Sequence, residues 1–423
     1  MPDSSSPTDR APASRVGVDL DGGSGRRIAA ELALALIAGC VAYWLSCLFV
    51  PSLDVAIGFG LEWEKMSKDP FAFVGDLPHR ILAPLLAHLL GFVGPPHYVQ
   101  FVRGLSVVLL GTIFYFCRRR DAKVFDAALV TVAVALLAPV QMYKLHWVGY
   151  SDALTYALFF WALLAERRPV VFWSLFFANL LNHELAAFLL PWLWFVRCRA
   201  GGGSWCDVIG AAAAVGLYAA YYFYVKATAH QRYSVDFFVD YPLFPGGTFC
   251  VLVLACVQWT VAFGPVLAIL AWFQHTRSNG REHWHLWLVL GGILAIFCIA
   301  WDWQRHTNLV VMPLVIASLR FLALRHRAAF LTVVGLGTVA MVFVPPWQTI
   351  SWPTNLFAEP GFLLRVNILV PVPPNGVGFG TLNAAVGRWL PEVWPALWPI
   401  LCILAAIWTA GALYARFTTT RAA

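Results

Sequence analysis

The chain has 423 residues, of which 60% are hydrophobic and only 12% charged. Because a soluble domain carries about a quarter charged residues, this composition excludes a water-soluble fold. The net charge of +7 is interpreted as orienting the chain in a membrane, and nucleic-acid binding is excluded. The nine Cys lie mostly inside apolar segments and show no metal-ligand spacing, so they predict neither a disulfide framework nor a zinc site.

Repeated apolar stretches predict an all-α polytopic membrane protein with about 12 transmembrane helices, because a helix satisfies its own backbone hydrogen bonds in lipid. Residues 1–25 are rich in Ser, Pro, Asp and Gly and predict a disordered cytoplasmic tail. The first span, 28–50, follows Arg26 and Arg27. Basic residues end every second span, which predicts an inner (plasma) membrane protein with both termini cytoplasmic.

The first outer loop, 51–97, is acidic in its first half and amphipathic in its second. The segment 81–93 is too short to cross a bilayer and contains Pro84, so we predict an in-plane helix on the outer leaflet. Asp76 is the expected N-cap of this helix. The next span is expected at 98–117, followed by an outward span at 125–143.

Four polar clusters lie in segments that are predicted to be outside the membrane, on the side opposite the basic turns. This grouping predicts a single site at the outer face. Four carboxylates are candidate catalytic groups: Asp54, Glu64, Asp152 and Glu184. Asp54 or Glu64 could accept a proton from an acceptor hydroxyl, and Asp152 and Glu184 could hold the acceptor or a cation. Asp54 is the expected base, with Glu64 as the alternative. Each of the four could instead be a solvated loop acid or a helix cap.

Cationic side chains on the same side could bind a phosphate, because Arg presents a forked donor that matches phosphate oxygens. The candidates are Arg80, Arg103, Arg305 and His306. Pairing with Asp302 or contact with lipid headgroups is the alternative role of Arg305. His146 and His183 are candidate acceptor- or cation-binding residues, and a divalent cation on Asp152 and Glu184 stays open. His183-Glu184 lacks the second His of a zinc-protease helix.

This layout resembles the GT-C superfamily of integral-membrane glycosyltransferases. Asp54 matches the acid near the start of their first outer loop. The segment Pro78-His-Arg-Ile-Leu-Ala-Pro84 looks like the Arg-x-Leu-x-Pro segment of bacterial members, and Asn182-His-Glu184 looks like their third-loop acidic motif. Paired acids in the first loop and an Asp-x-Asp motif in the second are missing. The resemblance implies a catalytic core of spans 1–7 over 26–225, and variable spans 8–12 over 226–423 with an outer loop at 345–395.

The resemblance further implies transfer of a sugar, with inversion, from a polyprenyl-phosphate donor to an envelope acceptor at the outer face. The expected partners are the lipid-linked donor, membrane lipids and a glycan or lipid acceptor. No cofactor is certain, and a divalent cation is possible. A transporter or lipid flippase, which would place charges through the membrane midplane, is one alternative. A non-catalytic envelope assembly subunit is the other.

Overall fold

The computed structural model describes residues 22–49, 52, 54–56, 58–73, 75, 77–137, 142–144, 147–229, 283–297, 306 and 308–323. Regular structure in these residues is helical, without strands. The α-helices are α1 Gly22–Phe49, α2 Phe59–Met66, α3 Leu82–Leu89, α4 His97–Arg119, α5 Val124–Ala135, α6 Asp152–Leu164, α7 Pro169–Asn182, α8 Leu190–Arg199, α9 Trp205–Thr228, α10 His283–Phe297 and α11 Val311–Ala323. Short 3-10 helices are η1 Met142–Lys144, η2 Glu184–Leu189 and η3 Asn308–Val310.

Three of the described helices are long and apolar enough to cross a membrane, namely α1 over Gly25–Leu48, α4 over its whole length and α9 over its whole length. Shorter apolar helices lie in α5, α6, α7, α10 and α11. A span needs about 20 apolar residues, so the shorter helices do not meet that length as single elements. The prediction of a mostly helical protein is confirmed for the described residues. The predicted count of 12 spans depends on residues outside them, and the predicted loop 345–395 lies wholly outside them.

Helices α1 and α4 cross in close contact because small residues face each other. A Cβ atom added at Gly39 would lie 2.5 Å from the carbonyl oxygen of Val107, and one added at Gly111 would lie 2.9 Å from that of Ala35. Only a residue without a side chain leaves room for this approach. Behind α4, Phe116 packs on Phe160 of α6 with ring centroids 5.3 Å apart, which continues the core towards α7.

Helix boundaries differ from the prediction in three places. Helix α1 begins at Gly22, so residues 22–25 are helical and not part of a disordered tail. Helix α3 begins after Ile81 and ends at Leu89, and Pro84 occupies its first turn, where a missing N–H costs no helical bond. Asp76, the expected cap, lies outside the described residues. Helix α5 ends at Ala135, well before the predicted residue 143.

Within the described part of the chain, the turns after α4, α6 and α8 meet at one end of the bundle, which is called the basic end below. Arg120 Nη2 lies 2.9 Å from Glu166 Oε1, which joins the turn after α4 to the turn after α6. Arg197 of α8 donates to the carbonyl oxygen of Glu166 and, through Nε, to Asp207 Oδ1 at 2.6 Å. The C-terminal end of α1, η1 and the starts of α4 and α6 form the opposite end, called the polar end.

Candidate functional site at the polar end

Helix α2, which the sequence did not predict, brings the first loop onto the segment that leads into α6. Gly149 adopts a left-handed backbone with φ of 91°, and a Cβ added at Gly60 would lie 2.3 Å from the Val148 carbonyl oxygen. The Tyr150 hydroxyl accepts a hydrogen bond from the Phe59 N–H at 3.1 Å. The rings of Trp63 and Tyr150 pack edge to face at 5.0 Å. These contacts fix Trp63 beside the start of α6.

Arg80 is the centre of the candidate site. Its guanidinium lies 5.8 Å from the centroid of the Trp63 ring, at cation–π distance. It also forms a bidentate ion pair with Glu184, in which Nε donates to Oε2 at 2.8 Å and Nη2 donates to Oε1. His79 Nε2 lies 3.3 Å from the same Oε2 atom. Both His79 and Arg80 are buried, so this ion pair is shielded from water on the Arg80 side.

Glu184 reaches Arg80 because α7 stops two residues earlier. The Asn182 amide at the end of α7 donates to the Ser151 carbonyl oxygen at 3.1 Å and to Thr155 Oγ1 at 2.8 Å. His183 is extended, with φ of −157°, and η2 begins at Glu184. The break between two apolar helices therefore turns the carboxylate into the cluster and ties it to the first turn of α6.

His183 lies between two carboxylates. Its Nε2 atom is 3.7 Å from Asp152 Oδ1, and its Nδ1 atom is 3.8 Å from Glu184 Oε2. Nδ1 also accepts a hydrogen bond from the Leu185 N–H at 3.4 Å. The ring of His306 stands edge to face against His183, with centroids 5.7 Å apart. Asp152 itself is only 3% exposed.

Among the described residues, the cluster brings the Arg80 guanidinium and the imidazoles of His79 and His183 to the carboxylates of Glu184 and Asp152. Burial alone would raise the pKa of Glu184, but Arg80, and after it His183 and His79, hold that pKa well below its ordinary value. Glu184 is therefore ionised at neutral pH. The side chain of Glu184 stays 23% exposed although Arg80 is buried, so the ion pair is open to solvent or ligand on one side.

Asp54 and Arg103 form a second ion pair at the polar end. Arg103 Nη2 lies 2.5 Å from Asp54 Oδ1, and its Nε donates to Ser52 Oγ at 2.9 Å. The Asp54 side chain is 79% exposed. The expected base is thus an exposed partner of the expected phosphate-binding cation, and the two belong to a set of contacts separate from the Arg80–Glu184 pair.

Glu64, the alternative base, is buried on α2. Its Oε2 atom has no hydrogen-bond partner among the described residues. Burial raises the pKa of Glu64, against the opposing effects of Lys68 and Lys65. The buried hydroxyl of Tyr98 lies close enough to Glu64 to be affected by the charge of that carboxylate. Glu64 is thus buried without a described hydrogen-bond partner at Oε2, whereas its neighbour Trp63 contacts Arg80.

Two predicted residues, His146 and Arg305, lie outside the described residues. Within the described part of the chain, no group of three or more His, Cys, Asp or Glu side chains has the geometry of a metal site. His79 and Trp63 were missed by the sequence reading. His79 directly precedes Arg80, and this adjacency was the available signal; nothing in the spacing of Trp63 distinguishes it from other apolar helix residues.

Comparisons with protein-family models, with curated proteins and with solved structures found no match for this chain.

Proposed function

We propose that the chain is a membrane glycosyltransferase that moves a sugar from a polyprenyl-phosphate donor to an envelope acceptor at the outer membrane face. The acceptor oxygen attacks the anomeric carbon, the carbon–oxygen bond to the phosphate breaks, and the polyprenyl phosphate leaves with the electron pair. The acceptor proton passes to a carboxylate. Attack opposite to the leaving phosphate inverts the configuration at the anomeric carbon.

The observation that carries this proposal is the convergence of the Arg80–Glu184 cluster. The cluster joins His79 and Arg80 from the loop before α3, Asp152 from the start of α6, His183 and Glu184 from the break between α7 and η2, and His306. Buried ionisable side chains in an apolar bundle are costly, and their gathering at one end is the arrangement expected of a reaction site at a membrane face. A flippase or transporter is disfavoured because these charges lie at one end of the bundle.

Asp152 is the proposed base, in place of Asp54. A general base works best when its pKa lies near the working pH. The low pKa of Glu184 therefore makes that carboxylate a weak base. Asp54 is open to water, whereas Asp152 is buried and its Oδ1 atom lies 3.7 Å from Nε2 of His183. Glu184, fixed by Arg80, is proposed to hold acceptor hydroxyls. The Asp54–Arg103 pair is proposed to meet the donor phosphate.

Transfer by purified full-length protein tests the proposal. The probes are a panel of polyprenyl-phosphate pentoses and hexoses, with a cell-envelope extract as acceptor and released polyprenyl phosphate as the readout. Asp152→Asn is expected to lower turnover by about 10²–10⁴-fold, the typical contribution of a general base. Asp121→Asn makes the same change in an exposed turn at the basic end and is the matched control.

Wild-type turnover that survives in both Asp152→Asn and Glu184→Gln would contradict the proposed roles. Absence of release with every donor would contradict the donor class. If Asp54→Asn alone abolishes release, the base is Asp54 after all.

A further inference from the structure

Buried cations of the described chain differ in their counter-ions. Three Lys or Arg residues are buried: Arg80, Lys144 and Arg197. Arg80 has Glu184 and Arg197 has Asp207, each with two guanidinium nitrogens on the carboxylate. Among the described residues, no carboxylate lies within 4.0 Å of the Lys144 ammonium. Lys144 is therefore the buried cation that this part of the chain leaves without a counter-charge.

The surroundings of Lys144 are polar but neutral. Its Nζ atom donates to Ser46 Oγ and lies 4.9 Å from the centroid of the Tyr43 ring, over the C-terminal part of α1. Its neighbour Tyr143 accepts a hydrogen bond from the Asn308 amide at 3.1 Å, which anchors η1 on η3. The ammonium is thus fixed in place at the polar end by contacts on both sides.

One hydroxyl and one aromatic face do not replace the hydration of an ammonium group. Burying an ion costs several kcal/mol, and this cost is recovered only when an opposite charge completes the site. An ammonium has three donors, and the described polar neighbours of this one are the Ser46 hydroxyl and the Cys47 sulfur, a weak acceptor. Lys144 therefore has capacity left for an anion with several acceptor oxygens.

A second cation lies on the other side of Tyr43. Arg103 donates to Ser52 Oγ at 2.9 Å, and both Ser52 and Arg103 lie near enough to the Tyr43 hydroxyl to act on it. Arg103 also pairs with the exposed Asp54, so Lys144 and Arg103 are two cations beside one carboxylate among the described residues at the end of α1. Phosphate oxygens at the membrane surface match this excess of positive charge.

We infer that Lys144, together with Arg103 across Tyr43, forms a binding site for the phosphate group of a lipid at the C-terminal end of α1. This inference rests on the proposed function where it names the lipid, since the polyprenyl-phosphate donor is the expected occupant. The phosphate of a bulk phospholipid headgroup, or free phosphate, offers the same chemistry.

Protonation of Lys144 gives the site a pH dependence. Burial lowers the pKa of Lys144 to about 8. Below that pH the side chain is an ammonium and attracts phosphate; above it the side chain becomes a neutral amine and the attraction is lost. The neighbouring groups are Ser46, Cys47, Tyr43 and, across Tyr43, Arg103. Arg in place of Lys144 does not titrate in this range, so its affinity should not fall between pH 7 and 9.

The test is a binding measurement on the full-length protein in nanodiscs, without turnover. Three probes are compared: polyprenyl phosphate, phosphatidylglycerol and inorganic phosphate as competitor. Lys144→Met is expected to weaken phosphate binding about tenfold or more, as for loss of a hydrogen bond to a charged group. Lys144→Arg should retain binding and lose the decline above pH 8. Lys123→Met, an exposed lysine at the basic end, is the matched control.

The outcomes decide whether Lys144 forms an anion site and whether the polyprenyl-phosphate donor occupies it. Loss of polyprenyl-phosphate binding in Lys144→Met, with an unchanged melting curve, supports the site. Binding of phosphatidylglycerol or inorganic phosphate alone, again lost in Lys144→Met, supports the anion site while contradicting the proposed donor. Equal binding by wild type and Lys144→Met, or no binding of any probe by wild type, overturns the inference.

Discussion

Two buried ion pairs of this chain differ in how completely their carboxylates are satisfied. Asp207 is fully buried and accepts from Arg197, from the Trp173 indole at 3.0 Å and from the Gly203 N–H at 2.8 Å. These neutral and charged donors surround it, as expected for a structural pair. Glu184 is held by Arg80 and His79 yet stays partly exposed. The open side of Glu184 is where a substrate hydroxyl can bind.

The Arg80–Glu184 pair allows stability to be separated from function. Arg80→Met leaves a carboxylate without its counter-ion, and we expect a loss of about 1–3 kcal/mol, less than for a fully buried pair because Glu184 is partly exposed. The double change Arg80→Met and Glu184→Met removes both charges and should recover most of that stability. Transfer activity should stay lost in the double variant. Thermal unfolding of the purified protein measures the first effect, and donor turnover the second.

The Arg120–Glu166 pair, at 2.9 Å, is the matched control for this experiment, because its arginine is 42% exposed whereas Arg80 is buried. Arg120→Met should change stability by less than about 1 kcal/mol, as for surface ion pairs. Recovery of activity in the Arg80 double variant would assign the pair a structural role only.

At the scale of helices, apolar length and basic turns predicted most elements within the described residues. The polar break at Asn182-His183-Glu184 was visible because three polar residues interrupt an apolar run. Helix α2 was not predicted, because its three charged residues, Glu62, Glu64 and Lys65, are typical of a solvated loop. It is held by tertiary contacts, the approach of Gly60 to Gly149 and the Tyr150 hydroxyl, which no local pattern reveals. The pairing of Arg80 with Glu184, 104 residues apart, was likewise beyond the local pattern.

The close crossing of α1 and α4 depends on glycine. Glycine-to-alanine substitutions at two positions of α4 should therefore have opposite effects on stability. Gly111→Ala places a methyl group 2.9 Å from the Ala35 carbonyl oxygen, so the helices must separate, at about 1–3 kcal/mol. Gly104→Ala meets nothing within 4 Å and should stabilise the helix by about 0.5–1 kcal/mol. Thermal unfolding in detergent compares the two variants. A stabilising Gly111→Ala would mean that α1 and α4 are further apart than described.

At the scale of the molecule, two chemically different ends follow from where charges occur along the chain. Arg120, Glu166, Arg197 and Asp207 join the basic end through ion pairs, while Asp152, His183 and Glu184 meet at the polar end. The sequence predicted that these two groups separate. It could not predict which cation binds which carboxylate, because several pairings satisfy the same charge pattern. The burial of Lys144 without a carboxylate among its described neighbours was equally invisible, since it depends on the packing of η1 against α1.

Orientation of the two ends relative to the membrane is the prediction on which the outer-face site depends. Basic turns are retained in the cytoplasm, so the polar end should face outwards. In a cysteine-free background, Val55→Cys places a thiol at an exposed position of the polar end, where Val55 is 67% exposed. Ser204→Cys places one in the exposed turn before α9 at the basic end. A membrane-impermeant maleimide applied to intact cells should label Val55→Cys and should label Ser204→Cys only after permeabilisation. The reverse pattern would move the site to the cytoplasmic face, where the proposed outer-face transfer from a polyprenyl-phosphate donor could not take place.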